Sequence, residues 1–235
     1  MSEFIAMRPR RVPLLNPRST SEVSWTAMPG DKPPTTPSTQ DDEFDAATGL
    51  DTLKWTWVNQ GTATTVQNGN GVLTITVPLT ATANSRCLVQ AAPSFPISVR
   101  SRMTAGFAMQ NFSGAGLTLR DSGSSKLIHY NVGFVNGQVI SVDRWTNATT
   151  FTSTARSRLL TGSATSEGAL TPPYLRIDLT ATTGTYYWSF DGVSWTLFAT
   201  EAYATFLTPN QIGISVISNN SAPAYDANYF WFRVV

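Results

Sequence analysis

The sequence is poor in the residues on which disulfide and metal chemistry depend. Its 235 residues include one cysteine, Cys87, and one histidine, His129. A single cysteine excludes an intramolecular disulfide, and the pair of residues excludes a zinc site built on two or more imidazoles or thiolates. Charged residues make up only 13% of the chain, and the formal net charge is +1. No basic field therefore exists to hold nucleic acid or an anionic membrane.

Long apolar runs are also missing. None approaches the roughly 18 residues that a membrane-spanning helix needs. The N-terminal segment carries Glu3 early and is broken by Arg8 and Pro9, so it lacks the continuous apolar stretch of a secretory signal. We therefore expect no membrane insertion and no signal peptide.

From residue 41 onward the sequence has the pattern of β structure. Apolar and polar residues alternate with period two, and turn residues recur at intervals of about eight to twelve. More than ten strands can be predicted without intervening helices, and a single sheet of that size would leave a face and its edges uncovered. The pattern predicts an all-β fold, a two-sheet antiparallel sandwich over residues 41–235.

Residues 1–40 differ in composition from the rest of the chain. Seven of the 14 prolines fall within the first 37 residues, which excludes a helix or a central strand. We interpret 1–40 as an extended N-terminal arm that ends in a Pro/Thr/Ser linker over 33–39. Either it is a disordered tail, or it lies along a neighbouring subunit. In the second case its solitary apolar side chains are the anchors: Phe4, Ile5, Val12, Leu14, Leu15 and Trp25.

Two hairpins can be predicted in detail. In the first, Asp191-Gly192 is the preferred chemistry of a two-residue type I′ turn. That turn would pair Trp188 with Trp195 and place both rings in the core.

The second hairpin surrounds Asn136-Gly137. A two-residue loop there would point Ile140 away from the core, whereas a three-residue loop over 135–137 restores the alternation. The resulting register places His129 opposite Asp143, Asn131 opposite Ser141, and Trp145 beside Leu127, all on the outer face.

Both ends of the predicted sandwich carry family-like motifs. The start, DDEFDAATGLDTLKWTWVNQG, contains Asp-Asp-x-Phe and then Leu-Asp-x-x-x-Trp, and Ser-Phe-Asp-Gly-x-x-Trp lies near the end. These motifs resemble the concanavalin A-like lectin/glucanase superfamily, especially noncatalytic modules similar to the C-terminal domain of bacterial β-xylosidases. The resemblance implies a jelly-roll whose first and last strands pair, here 43–45 beside 229–234. Members bind glycans, hydrolyse them or serve in adhesion, so the fold alone leaves these functions open.

Catalytic motifs are missing from the sequence. Glucanases of this superfamily display paired carboxylates as Glu-x-Asp-x-x-Glu on one strand, and no such string occurs. His129 with Asp143 could orient a serine, but no Gly-x-Ser-x-Gly elbow accompanies them. We therefore predict a noncatalytic protein.

An acidic cluster opens the sandwich and contains Asp41, Asp42, Glu43 and Asp45. Asp41 and Asp42 could supply oxygen ligands to Ca²⁺, together with Asp226 near the paired last strand. The alternative is a solvated polar entry to the first strand. No other cofactor is predicted.

The outer face of the second hairpin combines the groups that a sugar needs. An aromatic plane can cover the C–H face of a sugar, while amides and carboxylates bond to its hydroxyls. We predict a carbohydrate-binding site formed by Trp145, His129, Asn131 and Asp143. The alternative is structural, with Trp145 covering a sheet edge and His129 bonded only to Asp143.

Together these features favour a noncatalytic structural protein of a large assembly, with a bacteriophage virion as the preferred case. The arm would fasten it to other virion subunits, as capsid decoration or in a tail or fibre, in many copies or as a homo-oligomer. The jelly-roll would bind glycans of the host surface. The competing hypothesis is a free carbohydrate-binding module, or an accessory domain of a glycan-degrading enzyme, with the arm as a linker.

Overall fold

The structure, a computed structural model, describes residues 29–32, 34, 36–67, 69–106, 111–160, 171–218 and 224–235. These residues form fourteen strands and two short 3-10 helices, Pro29–Asp31 and Tyr203–Thr205, with no α-helix among them. The strands are β1 (Thr56–Val58), β2 (Thr64–Gln67), β3 (Leu73–Val77), β4 (Asn84–Ala91), β5 (Ile97–Ala105), β6 (Ser113–Arg120), β7 (Leu127–Phe134), β8 (Gln138–Asn147), β9 (Thr150–Leu159), β10 (Tyr174–Leu179), β11 (Gly184–Ser189), β12 (Thr196–Glu201), β13 (Gln211–Ser218) and β14 (Tyr225–Val234).

The strands build two antiparallel sheets of seven strands each, packed as a sandwich. Sheet 1 has the order β1-β4-β13-β6-β7-β8-β9, and sheet 2 has the order β12-β11-β10-β5-β14-β3-β2. Consecutive strands change sheets, as β4, β5 and β6 do, so that distant parts of the chain become neighbours. The predicted all-β jelly-roll sandwich is confirmed.

The core lies between the sheets and follows from period-two alternation. On β10, Leu175, Ile177 and Leu179 are buried against sheet 1, while Arg176 and Asp178 on the same strand are partly exposed. Because successive side chains of a strand point to opposite faces, β10 presents its apolar side chains to the core and its charged side chains to the outer face.

Two tyrosines of β14 connect the sheets across the core. The Tyr225 hydroxyl donates to the carbonyl of Ile217 at 2.7 Å, and the Tyr229 hydroxyl donates to the carbonyl of Ser215 at 2.7 Å. Tyr229 also accepts a hydrogen bond from the backbone N–H of Gly116 at 3.1 Å. Both side chains are buried, and these bonds give their hydroxyls the partners that burial requires.

The second predicted hairpin, β7–β8, has the predicted register. His129 lies opposite Asp143, Asn131 opposite Ser141, and Leu127 opposite Trp145. The loop is 135–137, with positive φ angles of 52° at Asn136 and 146° at Gly137. Asparagine and glycine tolerate this backbone region better than other residues.

The register predicted for the first hairpin, β11–β12, is wrong. Trp188 pairs with Thr196 instead of Trp195, and a bulge follows Tyr186. The Asp191 carboxylate accepts the backbone N–H groups of two later loop residues, at 2.8 and 2.7 Å, which holds a loop wider than two residues. Trp188 consequently packs half-buried against the core, whereas Trp195 lies on the outer face near the Arg176 guanidinium.

The expected pairing of the first and last strands is reduced to one bridge. Asp42 and Phe232 exchange two backbone hydrogen bonds of 2.8 Å each. The chain then turns, because Phe44 has a φ of 51° and donates its N–H to the Asp42 carboxylate at 2.8 Å. Residues 43–45 therefore form no strand beside 229–234.

The chain contacts the sandwich ahead of the boundary predicted at residue 41. Residues 30–32, called the strap below, lie on the outer face of sheet 2. Arg233 of β14 donates to the carbonyls of all three strap residues at 2.8–3.2 Å. The described part of the predicted arm is thus tied to its own sandwich. The six predicted anchors lie outside the described residues: Phe4, Ile5, Val12, Leu14, Leu15 and Trp25.

Candidate ligand-binding cleft

A cleft of about 660 Å³ opens on the outer face of sheet 1. It runs across β7, β8 and β9 and reaches the ends of β6 and β13, so strands distant in sequence build one surface. Its volume is within the range of ordinary small-molecule sites. Its polar lining includes Asn131, Ser141, Asp143 and Thr154, and its apolar lining includes Phe112, Val139, Trp145, Phe151 and Leu159.

A hydrogen-bond network fixes Asp143 in the cleft. One carboxylate oxygen accepts from the Asn131 amide and from the Ser141 hydroxyl, each at 2.8 Å, and the other accepts from the Thr154 hydroxyl at 2.7 Å. Burial raises the pKa of Asp143, and these three bonds oppose the shift. Asp143 is thus an oriented acceptor in a partly desolvated position.

Trp145 forms part of the cleft wall but exposes little surface. Its side chain is only 3% exposed and lies between His129 and Phe151, with ring centroids 5.7 and 5.6 Å away in edge-to-face arrangements. The indole Nε1–H has no acceptor among the described residues. The prediction of Trp145 as an open aromatic plane is therefore corrected, since the exposed aromatic rings of the cleft are Phe112 and Phe151, at 45% and 48%.

The burial of Trp145 results from the turn between β8 and β9. The carbonyl of Ala148 in this turn accepts the N–H of Ser85 on β4 at 2.8 Å, so the turn reaches back over the outer face of sheet 1. Beneath it, Trp145 joins a second apolar cluster with Cys87, Leu127 and Ile217. The alternation of the sequence places Trp145 on the outer face, but it does not show that the β8–β9 turn covers the indole.

His129 is placed beneath the cleft instead of in its lining. Its Nε2 lies 2.8 Å from the Ser85 hydroxyl, which in turn lies 3.3 Å from the Cys87 sulfur. All three side chains have no exposed surface. Burial lowers the pKa of His129 to about 3 and raises that of Cys87 to about 11. His129 does not form the expected bond to Asp143. It is neutral and packs edge-to-face against Trp145.

Two glycines give the floor of the cleft its depth. Gly114 and Gly133 lie directly opposite each other on β6 and β7. A Cβ at Gly114 would lie 2.9 Å from the Asn131 side-chain oxygen, and one at Gly133 would lie 2.4 Å from the Ser113 carbonyl. A side chain at Gly114 would therefore crowd Asn131 and disturb the network around Asp143, and one at Gly133 would collide with the backbone of β6.

The acidic residues predicted to bind calcium do not come together as a group of three. The Asp41 carboxylate accepts the Val234 N–H, and the Asp42 carboxylate accepts the Trp55 indole N–H, both at 2.7 Å. Asp226 lies opposite Thr76, six strand residues before the partner of Asp42, which is about 20 Å along β14. No group of three or more His, Cys, Asp or Glu in the described ranges could hold a metal ion. Calcium binding itself stays a prediction.

The other two members of the acidic cluster have different surroundings. Glu43 forms a bidentate ion pair with Arg233, with N–O distances of 2.7 and 2.8 Å. Asp45 is exposed. The cluster therefore stabilises the junction of the strap and β14, a role that its sequence spacing did not indicate.

Comparisons with known proteins identify the fold. No family model and no curated protein sequence matches the chain. Among solved structures, the GH43 BlXynB protein from Bacillus licheniformis matches with a TM-score of 0.63 and 16% identity over 84% of this chain and 39% of that one. A xylan β-1,4-xylosidase from Bacillus halodurans C-125 matches with a TM-score of 0.58 and 14% identity, over 86% and 40%.

A phage protein also has this fold. The CBM2 module of the evolved Dit of Lactobacillus casei BL23 phage J-1 matches with a TM-score of 0.56 and 11% identity over 83% of this chain and 93% of that one. At such identities the similarity defines the class, a jelly-roll β-sandwich. The chain spans about two fifths of the length of the two Bacillus proteins.

In the described ranges, no helix is long and apolar enough to cross a bilayer.

Proposed function

We propose that the protein is a noncatalytic saccharide-binding module that belongs to a bacteriophage virion and binds host surface glycans in the cleft of sheet 1. The observation that carries the binding proposal is a set of complementary polar groups beside exposed rings. Asp143 presents oriented acceptor oxygens, and the Trp145 Nε1–H is a buried donor with no acceptor in the described part of the chain. A buried donor gains from a ligand acceptor, because leaving it unpaired costs free energy.

The aromatic rings of the cleft add the apolar contact that a sugar ring requires. Phe112 and Phe151 are both about half exposed. A saccharide can place its C–H face on such a ring while its hydroxyls bond to Asp143 and the Trp145 indole. Among the described residues that line the cleft, Asp143 is the only carboxylate. Glycoside hydrolysis ordinarily uses two, which favours binding without turnover.

The position of the strap supports display on an assembly. The strap lies on the outer face of sheet 2, whereas the cleft opens on the outer face of sheet 1. The first described residues of the chain therefore lie on the side of the sandwich opposite the cleft. Attachment through residues 1–28 would leave the cleft open, and the similarity to a phage Dit module agrees with such a place in a virion.

A second candidate is an accessory module of a glycan-degrading enzyme. It is favoured by the Bacillus proteins, in which a fold like this one accounts for about two fifths of a longer chain. The two candidates share the cleft and differ in what residues 1–28 attach to. Deleting 1–28 would abolish incorporation into particles under the virion hypothesis, and unchanged incorporation would contradict it.

The binding proposal is tested with a glycan array followed by calorimetry on the best ligand. The informative variant is Trp145→Phe, which removes the indole donor and keeps an aromatic ring. Trp188→Phe is its matched control, because the Trp188 Nε1–H is also buried and has no acceptor among the residues that the structure describes, but it belongs to sheet 2. We expect a roughly tenfold loss of affinity for the first variant only, as for one lost hydrogen bond.

Two results would contradict this function. One is an array without any saccharide ligand for the unmodified protein. The other is equal affinity of the Trp145→Phe and Trp188→Phe proteins for a ligand that does bind, since the cleft would then not be its site.

A further inference from the structure

Three arginines lie side by side on the outer face of sheet 2, the face opposite the cleft. Arg100 of β5 is directly opposite Arg176 of β10 on one side and Arg233 of β14 on the other. Directly opposed residues of antiparallel strands are close neighbours, and like charges in such positions repel. A row of three guanidinium groups therefore needs compensation.

Two of the three arginines are compensated within the chain. Arg233 forms the bidentate pair with Glu43, and Arg176 donates two bonds to the carboxylate of Asp178 on its own strand. Arg100 differs from both, because its one described hydrogen bond runs from Nε to the Ser98 hydroxyl at 3.0 Å. The central guanidinium thus lacks a carboxylate partner among the described residues, and its two terminal nitrogens keep their donors available.

The surroundings of Arg100 make this position unfavourable for an unpaired cation. Its side chain is partly buried. The pKa of Arg100 is lowered by burial first and by the charge of Arg176 second, and the nearby Asp178 carboxylate opposes this shift only in part. A bound anion would offset both effects, and a guanidinium is well suited to grip two oxygens at once.

The same face already contains a carboxylate site of this kind, which is occupied by the strap. The Asp31 carboxylate binds Arg102 of β5 at 2.6 Å and the Tyr174 hydroxyl and Trp231 indole N–H at 3.1 Å each. Arg102 is the next outward residue after Arg100 on β5. The contacts of Asp31 thus show that an arginine of this face, together with adjacent aromatic donors, binds a carboxylate.

Aromatic rings continue the arginine row towards the edge of the sheet. Tyr187 of β11 lies directly opposite Arg176, and the Arg176 guanidinium carbon is 4.9 Å from its ring centroid. Trp195 lies 5.7 Å from the same guanidinium carbon. An anion held at Arg100 would therefore have half-buried aromatic surface beyond Arg176, which suits an anionic group attached to a sugar ring.

We propose that Arg100 is the centre of an anion-binding site on the outer face of sheet 2, which takes one carboxylate or phosphate group of an acidic saccharide. The site is separate from the cleft and does not depend on it. This site on sheet 2 gives the module a preference for acidic glycans that is independent of the cleft on sheet 1.

The test measures thermal unfolding and binding of the full chain with glucuronate, inorganic phosphate and neutral xylobiose as probes. Variant Arg100→Gln removes the central charge. Arg158→Gln is the matched control, because it removes one positive charge from an exposed position of β9 on sheet 1. Binding to the folded state raises the melting temperature by mass action.

We expect glucuronate to raise the melting temperature of the unmodified and Arg158→Gln proteins. Its affinity for Arg100→Gln should be at least tenfold lower, with a correspondingly smaller rise in melting temperature. Without added anion, Arg100→Gln should melt at the same temperature as the unmodified protein or higher, because the row loses repulsion. A stronger response to glucuronate than to phosphate supports a saccharide source, and equal responses restrict the site to simple anions and overturn the saccharide assignment. No response to either anion, or the same response in both variants, overturns the site itself, whatever the cleft binds.

Discussion

The carboxylate of Asp31 lies 2.6 Å from the Arg102 guanidinium, and this contact ties the chain ahead of the first strand to the outer face of sheet 2. The Asp31 carboxylate is also bonded to Tyr174 and Trp231. Asp31 and Arg102 remain partly solvated, with side chains 12% and 27% exposed. The Asp31 carboxylate, with these three donors, therefore adds to the bonds that Arg233 forms with the strap carbonyls.

Replacing Asp31 should release the strap while leaving the sandwich folded. We expect Asp31→Ala to lower the free energy of unfolding by about 2 kcal/mol, because charge-assisted bonds are lost and two donors lose their acceptor. Limited proteolysis should then cut near residues 30–36 faster than in the unmodified protein. Asp45→Ala, at an exposed position, is the control and should change neither quantity. Unchanged cleavage in Asp31→Ala would show that the backbone bonds of the strap, to Arg233 and to the Asp191 carbonyl, are sufficient to hold it.

The buried His129 predicts a specific pH dependence of stability. Its pKa is about 3 in the folded protein, against 6.5 for an ordinary histidine, so the unfolded chain takes up the proton first as the pH falls. The free energy of unfolding should therefore decrease as the pH falls from 6.5 towards 3. This contribution amounts to about 2 kcal/mol at pH 5 relative to pH 7.

The comparison with His129→Gln isolates this contribution. Asp143 acts in the opposite direction, because its pKa is raised in the folded state, but it is present in both proteins. Denaturant unfolding at several pH values should give a shallower slope for the variant between pH 6.5 and 4.5. Parallel curves for the two proteins would refute the assignment of a neutral, buried His129.

Gly116 should be intolerant of any side chain. A Cβ at this position would lie 2.1 Å from the carbonyl oxygen of Tyr130 on β7. Because that obstacle is backbone, Gly116→Ala should cost more than about 3 kcal/mol of stability or prevent folding. The control is Gly106→Ala, whose Cβ would make an ordinary contact of 3.8 Å. Thermal unfolding of both variants provides the measurement, and equal melting temperatures would contradict the close approach of β6 and β7.

Phe151 should contribute to saccharide binding through its exposed ring. It is 48% exposed and packs edge-to-face on Trp145 with a centroid distance of 5.6 Å. Phe190 is a near-identical control, since it is 46% exposed and packs edge-to-face on Trp188 at 5.2 Å, but it lies after β11 on sheet 2. Phe151→Ala should weaken saccharide binding about five- to tenfold, as for the loss of an aromatic contact of roughly 1 kcal/mol. Equal calorimetric affinities of the two alanine variants would exclude Phe151 from the site.

The sequence predicted more than ten strands, and the details that it did not show have identifiable causes. Edge strand β2, Thr64–Gln67, carries little alternating signal, because its polar sequence contains one strongly apolar residue, Val66. The β11–β12 register was wrong because the bonds formed by Asp191 and the bulge after Tyr186 replaced the tight turn that Asp-Gly favours. Pairing with β3 therefore decided β2, and side-chain bonds within the loop decided the β11–β12 register.

The candidate cleft was predicted in part. Alternation along β7 and β8 placed Asn131, Asp143 and Trp145 on one face, and the structure brings all three to the cleft. The alternation could not show that His129 lies beneath these three residues or that β9 contributes Phe151, since both depend on the β8–β9 turn.

By itself, the sequence determined the all-β class, the sandwich, and the register of the hairpin around residues 135–137, because side-chain alternation and glycine conformation act between near neighbours. Only the tertiary structure decided that Trp145 is covered, that Asp31 is bound by Arg102, and that Arg100 stands between two other arginines. Each of these relationships involves parts of the chain that are far apart in sequence, and their contacts depend on how the sheets and loops pack rather than on any local pattern.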